Sequence, residues 1–237
     1  VLVALVRPSA LPAALPVLAL WAVAPFVAHA LSQPVPERRR ELGPQDRAFL
    51  EGVARDTWRY FESFMGPEDH GLPADNFQEI PEPRVAHRTS PTNIGMGLLA
   101  TLAAHDLGFI ARDVLAERVD ATLTTMEGLE RHEGHLLNWY DTRSLEALPP
   151  RYVSTVDSGN LVGALMALAE GLREAGLPDL AGRASAFADA MGFRFLFDPQ
   201  RRILSIGYRL ADAEGPGRLD PSYYDLLASE ARLASFI

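Results

Sequence analysis

Polar and aromatic side chains gather at a few points along this chain, and their types suit one kind of chemistry. Asp75, Asn76 and Glu79 come first, followed by Arg88, Thr89 and Asn93. Asn138, Trp139, Tyr140 and Asp141 form a second group, Asp157 and Asn160 a third, and Tyr223, Tyr224 and Asp225 a fourth. Aromatic faces beside Asp, Asn and Arg suit a sugar, whose C–H faces stack on rings and whose hydroxyls take paired polar partners. Cleavage of a glycosidic bond ordinarily needs two carboxyl groups, about 5–5.5 Å apart for retention and about 6.5–9.5 Å apart for inversion.

Each residue also has a plainer reading. Asp157 and Ser158 are ordinary helix N-caps, which satisfy orphan backbone N–H groups. Asn93 and Asn160 fit a first helical turn, and Trp139 and Tyr140 fit a core. Asp225 and Glu230 are five apart and do not share a tight helical face. Arg88, just ahead of a helix start, can pair with a carboxylate or grip hydroxyls. The histidines His70, His87, His105, His132 and His135 are scattered, and HEGH lacks the H-E-x-x-H spacing of a helical zinc pair. No metal site and no cofactor is expected. The chain has no cysteine, no Gly-rich phosphate loop and no G-x-S-x-G elbow. A formal charge of −9 argues against nucleic acid as a partner. All 22 basic residues are Arg, a mark of GC-rich coding.

The elements that would hold these groups are mostly helical. Residues 9–31 contain no Asp, Glu, Lys or Arg and are long enough for a transmembrane helix; a signal peptide or a buried helix is the rival reading. The expected domains are a transmembrane segment at 1–32, a basic Pro-rich linker at 33–44 and a helical domain at 45–237. Arg38, Arg39 and Arg40 lie close behind the apolar run, so the positive-inside rule places 45–237 in the cytoplasm.

From Gln45 onward, six helical patterns alternate in character. The second, fourth and sixth are rich in Ala, Gly and Leu; the first, third and fifth carry more charge. Ser90 with Pro91 signals one helix start, and Gly108 its stop. The apolar helices open at Ser90, Ser158 and Ser222, 68 and 64 residues apart. Such a repeat indicates stacked helix pairs. The fold class expected is therefore all-α: apolar helices inside and charged helices outside, with short β-hairpins in the loops. In a toroid of six such pairs, three of which are countable here, the loops before the inner helices line one cleft.

Three stretches carry a resemblance: DNFQEIPEPRVAHRTSPTNIG, LLNWYDTRSLEALPPRYVSTVDSGNLVGAL and RLDPSYYDLLASEARLASFI. In this order they resemble the cyclic β-1,2-glucan synthases, very large bacterial inner-membrane proteins, across residues 45–237. The match is to the stretch between the membrane-embedded glycosyltransferase region and the carboxy-terminal phosphorylase-like region; the last motif resembles the start of a glycoamylase-like domain. The resemblance implies an (α/α)6 toroid, of which this chain would supply the first half. It also implies transglycosylation on β-1,2-glucan with retained configuration, closing linear chains into rings. The acid/base and the nucleophile would be glutamates beyond Ile237, so this chain alone would be inactive and would fold poorly, with inner apolar helices exposed. The implied partners are β-1,2-glucan, the lipid bilayer through residues 9–31 and the remaining domains of the same polypeptide; the implied place is the bacterial inner membrane. Two other readings stay open: a membrane-tethered helical scaffold that binds a protein partner, and a β-glucan hydrolase.

Overall fold

A computed structural model describes residues 8–33, 42–213, 215–224 and 232–237. Arg38, Arg39, Arg40, Asp225 and Glu230 lie outside the described residues. The chain divides into two units, residues 1–47 and 48–237.

In the first unit a 3-10 turn at Pro8–Ala10 leads into α1, Leu11–Leu31. The helix runs through Pro16 and Pro25 and closes with the Ser32 hydroxyl donating to the Ala28 carbonyl at 2.7 Å. Its stretch Pro12–Leu31, of mean hydropathy 1.9, is long and apolar enough to cross a membrane.

The second unit is mostly helical. Its described helices are α2 (Pro44–Phe64, from residue 48 onward), α3 (Pro91–Asp106), α4 (Arg112–Gly128), α5 (Thr155–Glu174), α6 (Pro178–Asp189) and α7 (Arg232–Phe236). α5 packs against α3 on one side and α7 on the other, and α3 and α5 are backed by α4 and α6. The apolar α3, α5 and α7 thus form one layer and the charged α4 and α6 a second. Between them lies a core of Ile94, Leu98, Leu115, Leu123, Leu161, Leu165 and Leu168, all fully buried.

The inner helices approach closely because small residues line their contacts. A Cβ on Gly95 would sit 2.9 Å from the Ala164 Cβ, across the α3–α5 contact. One on Gly159 would sit 2.8 Å from the Ala234 Cα, across α5–α7. The stretch 157–160 is therefore divided by helical geometry: Ser158 and Gly159 are buried, while Asp157 and Asn160 remain partly exposed.

Helix starts follow capping chemistry. Ser90 accepts the Asn93 N–H at 3.2 Å, with Pro91 at the first helical position. Gly108 in left-handed backbone closes the C-terminus of α3, and the Phe109 N–H reaches back to the Ala104 carbonyl at 2.7 Å.

The start of α5 departs from the sequence expectation. Its cap is Ser154, which accepts the Asp157 N–H at 3.3 Å, and Asp157 and Ser158 lie inside the helix. The β-branched Val153 and Thr155 read as strand, yet only Val153 is in one. Thr155 begins the helix because its side chain and amide are both used there: the hydroxyl donates to the Ser205 carbonyl at 2.7 Å and the N–H to that of Ile206 at 3.0 Å. The capping serines Ser90 and Ser154 are thus 64 residues apart.

The expected third start, at Ser222, is not helical. Ser222 accepts the Ile206 N–H at 3.0 Å and Tyr223 bridges Ser205. The last helical residues described are Arg232–Phe236.

The loops carry small antiparallel sheets. β1 (Phe77–Gln78) pairs with β2 (Arg84–Val85), and β3 (Arg88–Thr89) with β6 (Tyr140–Asp141). β4 (Arg131–His132) pairs with β5 (His135–Leu136), and β8 (Phe197–Asp198) with β9 (Ile203–Leu204). A three-stranded sheet runs β11 (Arg218–Leu219), β10 (Gly207–Arg209), β7 (Tyr152–Ser154). The β3–β6 pair stands at the entry to α3 and β7 at the entry to α5.

Candidate functional site

At the amino ends of α3 and α5 the polar side chains join in one network, hydrogen-bonded except for a single cation–π contact. Asp75 is its first anchor. Its Oδ2 accepts from Arg88 Nε at 3.1 Å, from Arg88 Nη2 at 2.9 Å and from Asn76 at 2.9 Å; its Oδ1 accepts from Asn93 at 3.2 Å. The Arg88 guanidinium lies 4.8 Å from the Trp139 ring centroid, a cation–π stack. Trp139 Nε1 donates to Asn138 Oδ1 at 3.1 Å, and Asn138 Nδ2 donates to Asp157 Oδ2 at 3.1 Å, the amide being oriented by these two neighbours. Asp157 Oδ1 accepts from the Thr92 hydroxyl at 2.6 Å, and Asn160 Nδ2 donates to that same Thr92 oxygen at 3.1 Å. The network thus runs without a break from residue 75 to residue 160 and ties the first turn of α3 to the first turn of α5.

Asp75 has an ion-pair partner, whereas Asp157 is held by neutral donors. Two carboxylates near helix N-termini are favoured by the amides there, and Arg88 offsets Asp75. Arg88 is half exposed, and among the described residues its Nη1 has no protein acceptor. The result is a rigid polar surface of fixed donors and acceptors beside an indole, suited to neutral polyhydroxyl compounds. Among the described residues no cluster of three His, Asp or Glu is placed to hold a metal ion.

The expected residues separate into three groups. Asp75, Asn76, Arg88, Asn93, Asn138, Trp139, Asp157 and Asn160 come together. Thr89 and Tyr140 do not reach the open face: both are fully buried. The register explains this. Arg88 stands opposite Asp141 and Thr89 opposite Tyr140. Alternation along a strand turns one pair outward and the other into the core. The Tyr140 hydroxyl is also spent inside, donating to the Glu130 carbonyl at 2.5 Å and accepting the Leu137 N–H at 2.6 Å. Burial raises its pKa well above the usual phenol range. Asp141 serves its own turn, accepting the Arg143 and Ser144 N–H groups at 2.9 and 2.8 Å. Those bonds, led by Ser144, lower its pKa. Glu79 is exposed and makes no contact with the network.

Tyr223 belongs to a neighbouring cluster. Its hydroxyl donates to Asp198 at 2.7 Å and Arg201 lies 4.4 Å over its ring. That bond raises the Tyr223 pKa and lowers that of Asp198. Tyr223 nonetheless sits close to the start of α5, through its bridge to Ser205, whose carbonyl takes the Thr155 hydroxyl. Tyr224 adjoins Tyr152, the first residue of β7; burial, then the Asp220 carboxylate, then Tyr224 raise the Tyr152 pKa. Asp225 lies outside the described residues.

Sequence reasoning passed over Thr92, Tyr152, Asp198, Arg201 and Asp220. Thr92 had a signal, since it stands between the cap and Asn93 in SPTN. The others pair across 22 to 68 residues, for which no local pattern exists.

A concavity of about 690 Å³ lies elsewhere, between Met65–Gly71 and the face of α4 from Val114 to Thr125. Several of its polar groups are already engaged, although Arg118 Nη1 is buried there without a hydrogen-bond partner among the described residues. The Thr122 and Thr125 hydroxyls donate to the Gly71 and His70 carbonyls, and Asp120 pairs with Arg183. The convergent free chemistry is on the open face at the helix starts, and that face is the better candidate.

Comparison with known proteins bears on the same segment. Over 162 residues, 68% of this chain, the sequence is 46% identical to the cyclic beta-(1,2)-glucan synthase NdvB of Rhizobium meliloti. The chain is thus a relative of a cyclic β-1,2-glucan synthase. It spans only 6% of NdvB's length. Residues 52–165, which include the whole network, match a family described as a protein of unknown function, DUF3131.

Among solved structures, the endo-β-1,2-glucanase of Talaromyces funiculosus in complex with sophorose is similar at a TM-score of 0.63, with 16% identity over 80% of this chain and 46% of that one. The endo-β-1,2-glucanase of Chitinophaga pinensis, with sophorotriose and glucose, is similar at 0.59, with 16% identity over 71% of this chain and 41% of that one. At these identities the likeness is one of fold.

Proposed function

We propose that residues 45–237 form the first half of an (α/α)6 toroid that holds β-1,2-glucan during transglycosylation, within a membrane-bound cyclic β-1,2-glucan synthase. The observation that carries this reading is the unbroken network from Asp75 through Arg88, Trp139, Asn138 and Asp157 to Asn160, spanning two inner-helix starts. The relationship to NdvB and the fold shared with two β-1,2-glucanases support it. α1 is the membrane tether in this reading, which places the protein at the bacterial inner membrane with 45–237 on the cytoplasmic side.

In this reading the network binds and orients the sugar. Arg88 Nη1 and the Asn amides address hydroxyls, and the Trp139 indole faces a pyranose ring. Asp75 and Asp157 accept from protein donors on both oxygens, which suits holding hydroxyls and not the proton transfers of an acid/base pair. Catalytic carboxylates are then supplied by other parts of the polypeptide.

The test uses the full-length protein with linear β-1,2-glucan as substrate. Arg88→Ala and Asp157→Ala are each expected to raise KM roughly tenfold or more, as loss of a charged hydrogen-bonding partner does. Cyclic product formed at wild-type rates and KM by both variants would refute glucan binding at this face and favour a scaffold.

A further inference from the structure

Behind the strand pair that presents Arg88 lies a buried carboxylate outside the network just described. Asp69 ends the short turn Pro67–Asp69 and is 2% exposed. Its Oδ1 accepts from His87 Nδ1 at 2.8 Å and from the Thr142 hydroxyl at 2.5 Å. His87 directly precedes Arg88, and Thr142 directly follows Asp141. The two are also joined to each other, the Thr142 N–H donating to the His87 carbonyl at 3.1 Å.

The chemistry of the partners fixes the imidazole. Arg143 Nη2 lies 2.8 Å from His87 Nε2, and a guanidinium can only donate. Nε2 is therefore the acceptor, and Nδ1 carries the hydrogen that Asp69 receives. Arg143 is held in turn, its carbonyl accepting from His70 Nε2 at 3.1 Å. A carboxylate this deeply buried is stable only with such donors in place, so the arrangement pins residues 87 and 142, which face each other at one end of the β3–β6 pair.

We propose that Asp69 and His87 are positioning residues for the glucan site: they lock β3 against β6 so that the Arg88 guanidinium stays over Trp139 and within reach of Asp75. This rests on the glucan-binding reading above. Neither residue touches the sugar; both act through Arg88.

Two measurements on the full-length protein test it. The first needs no sugar: hydrogen exchange of the amides in 86–93 and 138–143. Exchange is expected to rise at least tenfold in His87→Ala and to return toward wild type in His87→Asn, whose side-chain N–H can still serve Asp69. Unchanged exchange in His87→Ala overturns the brace, and a thermal melt confirms that each variant is folded. The second is kinetic, with linear β-1,2-glucan. His87→Ala is expected to raise KM about tenfold with kcat within about twofold, and His87→Asn to recover most of that loss. The double variant His87→Ala/Arg88→Ala should be no worse than Arg88→Ala, because the histidine works through the arginine. Additive losses in the double variant overturn that dependence. An Arg88→Ala variant with wild-type KM refutes the glucan-binding reading instead, leaving the exchange result to decide the brace.

Discussion

Acid should loosen the β4–β5 hairpin through one side chain, His135. Its imidazole is fully buried, with the Phe193 and Phe195 rings edge-on at 4.9 and 5.2 Å. Neither ring nitrogen makes a well-formed hydrogen bond; only the Gly192 backbone offers a weak acceptor. Burial therefore pulls its pKa from 6.5 down to about 4; the Gly192 carbonyl opposes this, and the neighbouring His132 adds to it. The folded state then binds its proton later than the unfolded state as pH falls. Stability is complete above pH 6.5, declines as pH falls below it, and levels off below about 4. At 1.36 kcal/mol per pH unit the whole effect is about 3 kcal/mol, of which about 2.5 is lost by pH 4.5.

The assay is hydrogen exchange of residues 130–137 in the full-length protein, corrected for intrinsic exchange rates, at pH 7.5, 6.5, 5.5 and 4.5. His135→Leu retains His132, stacked on Tyr208 at 5.1 Å, so the difference between variant and wild type isolates His135. It should be neutral or stabilising at pH 7.5, because it removes two unsatisfied polar atoms, and should lose far less protection on acidification. Equal acid losses in wild type and variant would show that the buried imidazole is not the cause.

Three further outcomes are expected. Gly134→Ala should destabilise the same hairpin by about 3 kcal/mol or more, since Gly134 has φ +83° and a Cβ there would overlap the Ala190 carbonyl; an unchanged urea midpoint would count against this geometry. Ser154→Ala should cost about 1 kcal/mol by removing the α5 cap, whereas Ser158→Ala should cost nothing or stabilise, because the Ser158 hydroxyl is buried without a partner; comparing the two melts tests the reassigned cap. Thr92→Val should weaken linear β-1,2-glucan binding about fivefold with little loss of fold, since one hydroxyl links Asp157 and Asn160; calorimetric titration of the full-length protein reads it.

How far these features were legible depended on the length of the signal. The helices were readable because an apolar face repeats over many turns, and Ser90 with Pro91 is a local cap that needs no partner elsewhere. Much of the site was readable for the same reason: a polar side chain just ahead of an apolar helix has few places to go but the end of that helix. Thr89 and Tyr140 were not, because β3 and β6 are two residues long and a two-residue strand has no period. Only the pairing of Arg88 with Asp141 decides which side faces the core.

The Ser154 cap was obscured by a related ambiguity: β-branched neighbours suggest a strand, and Thr155 leaves it only because Ser205 and Ile206, fifty residues on, accept its hydroxyl and amide. Asp69 shows the limit most plainly. In sequence it is one acidic residue in a polar loop. Its two donors stand 18 and 73 residues away, and only once β3 and β6 have paired does that loop carboxylate become a buried charge able to brace Arg88, as proposed above.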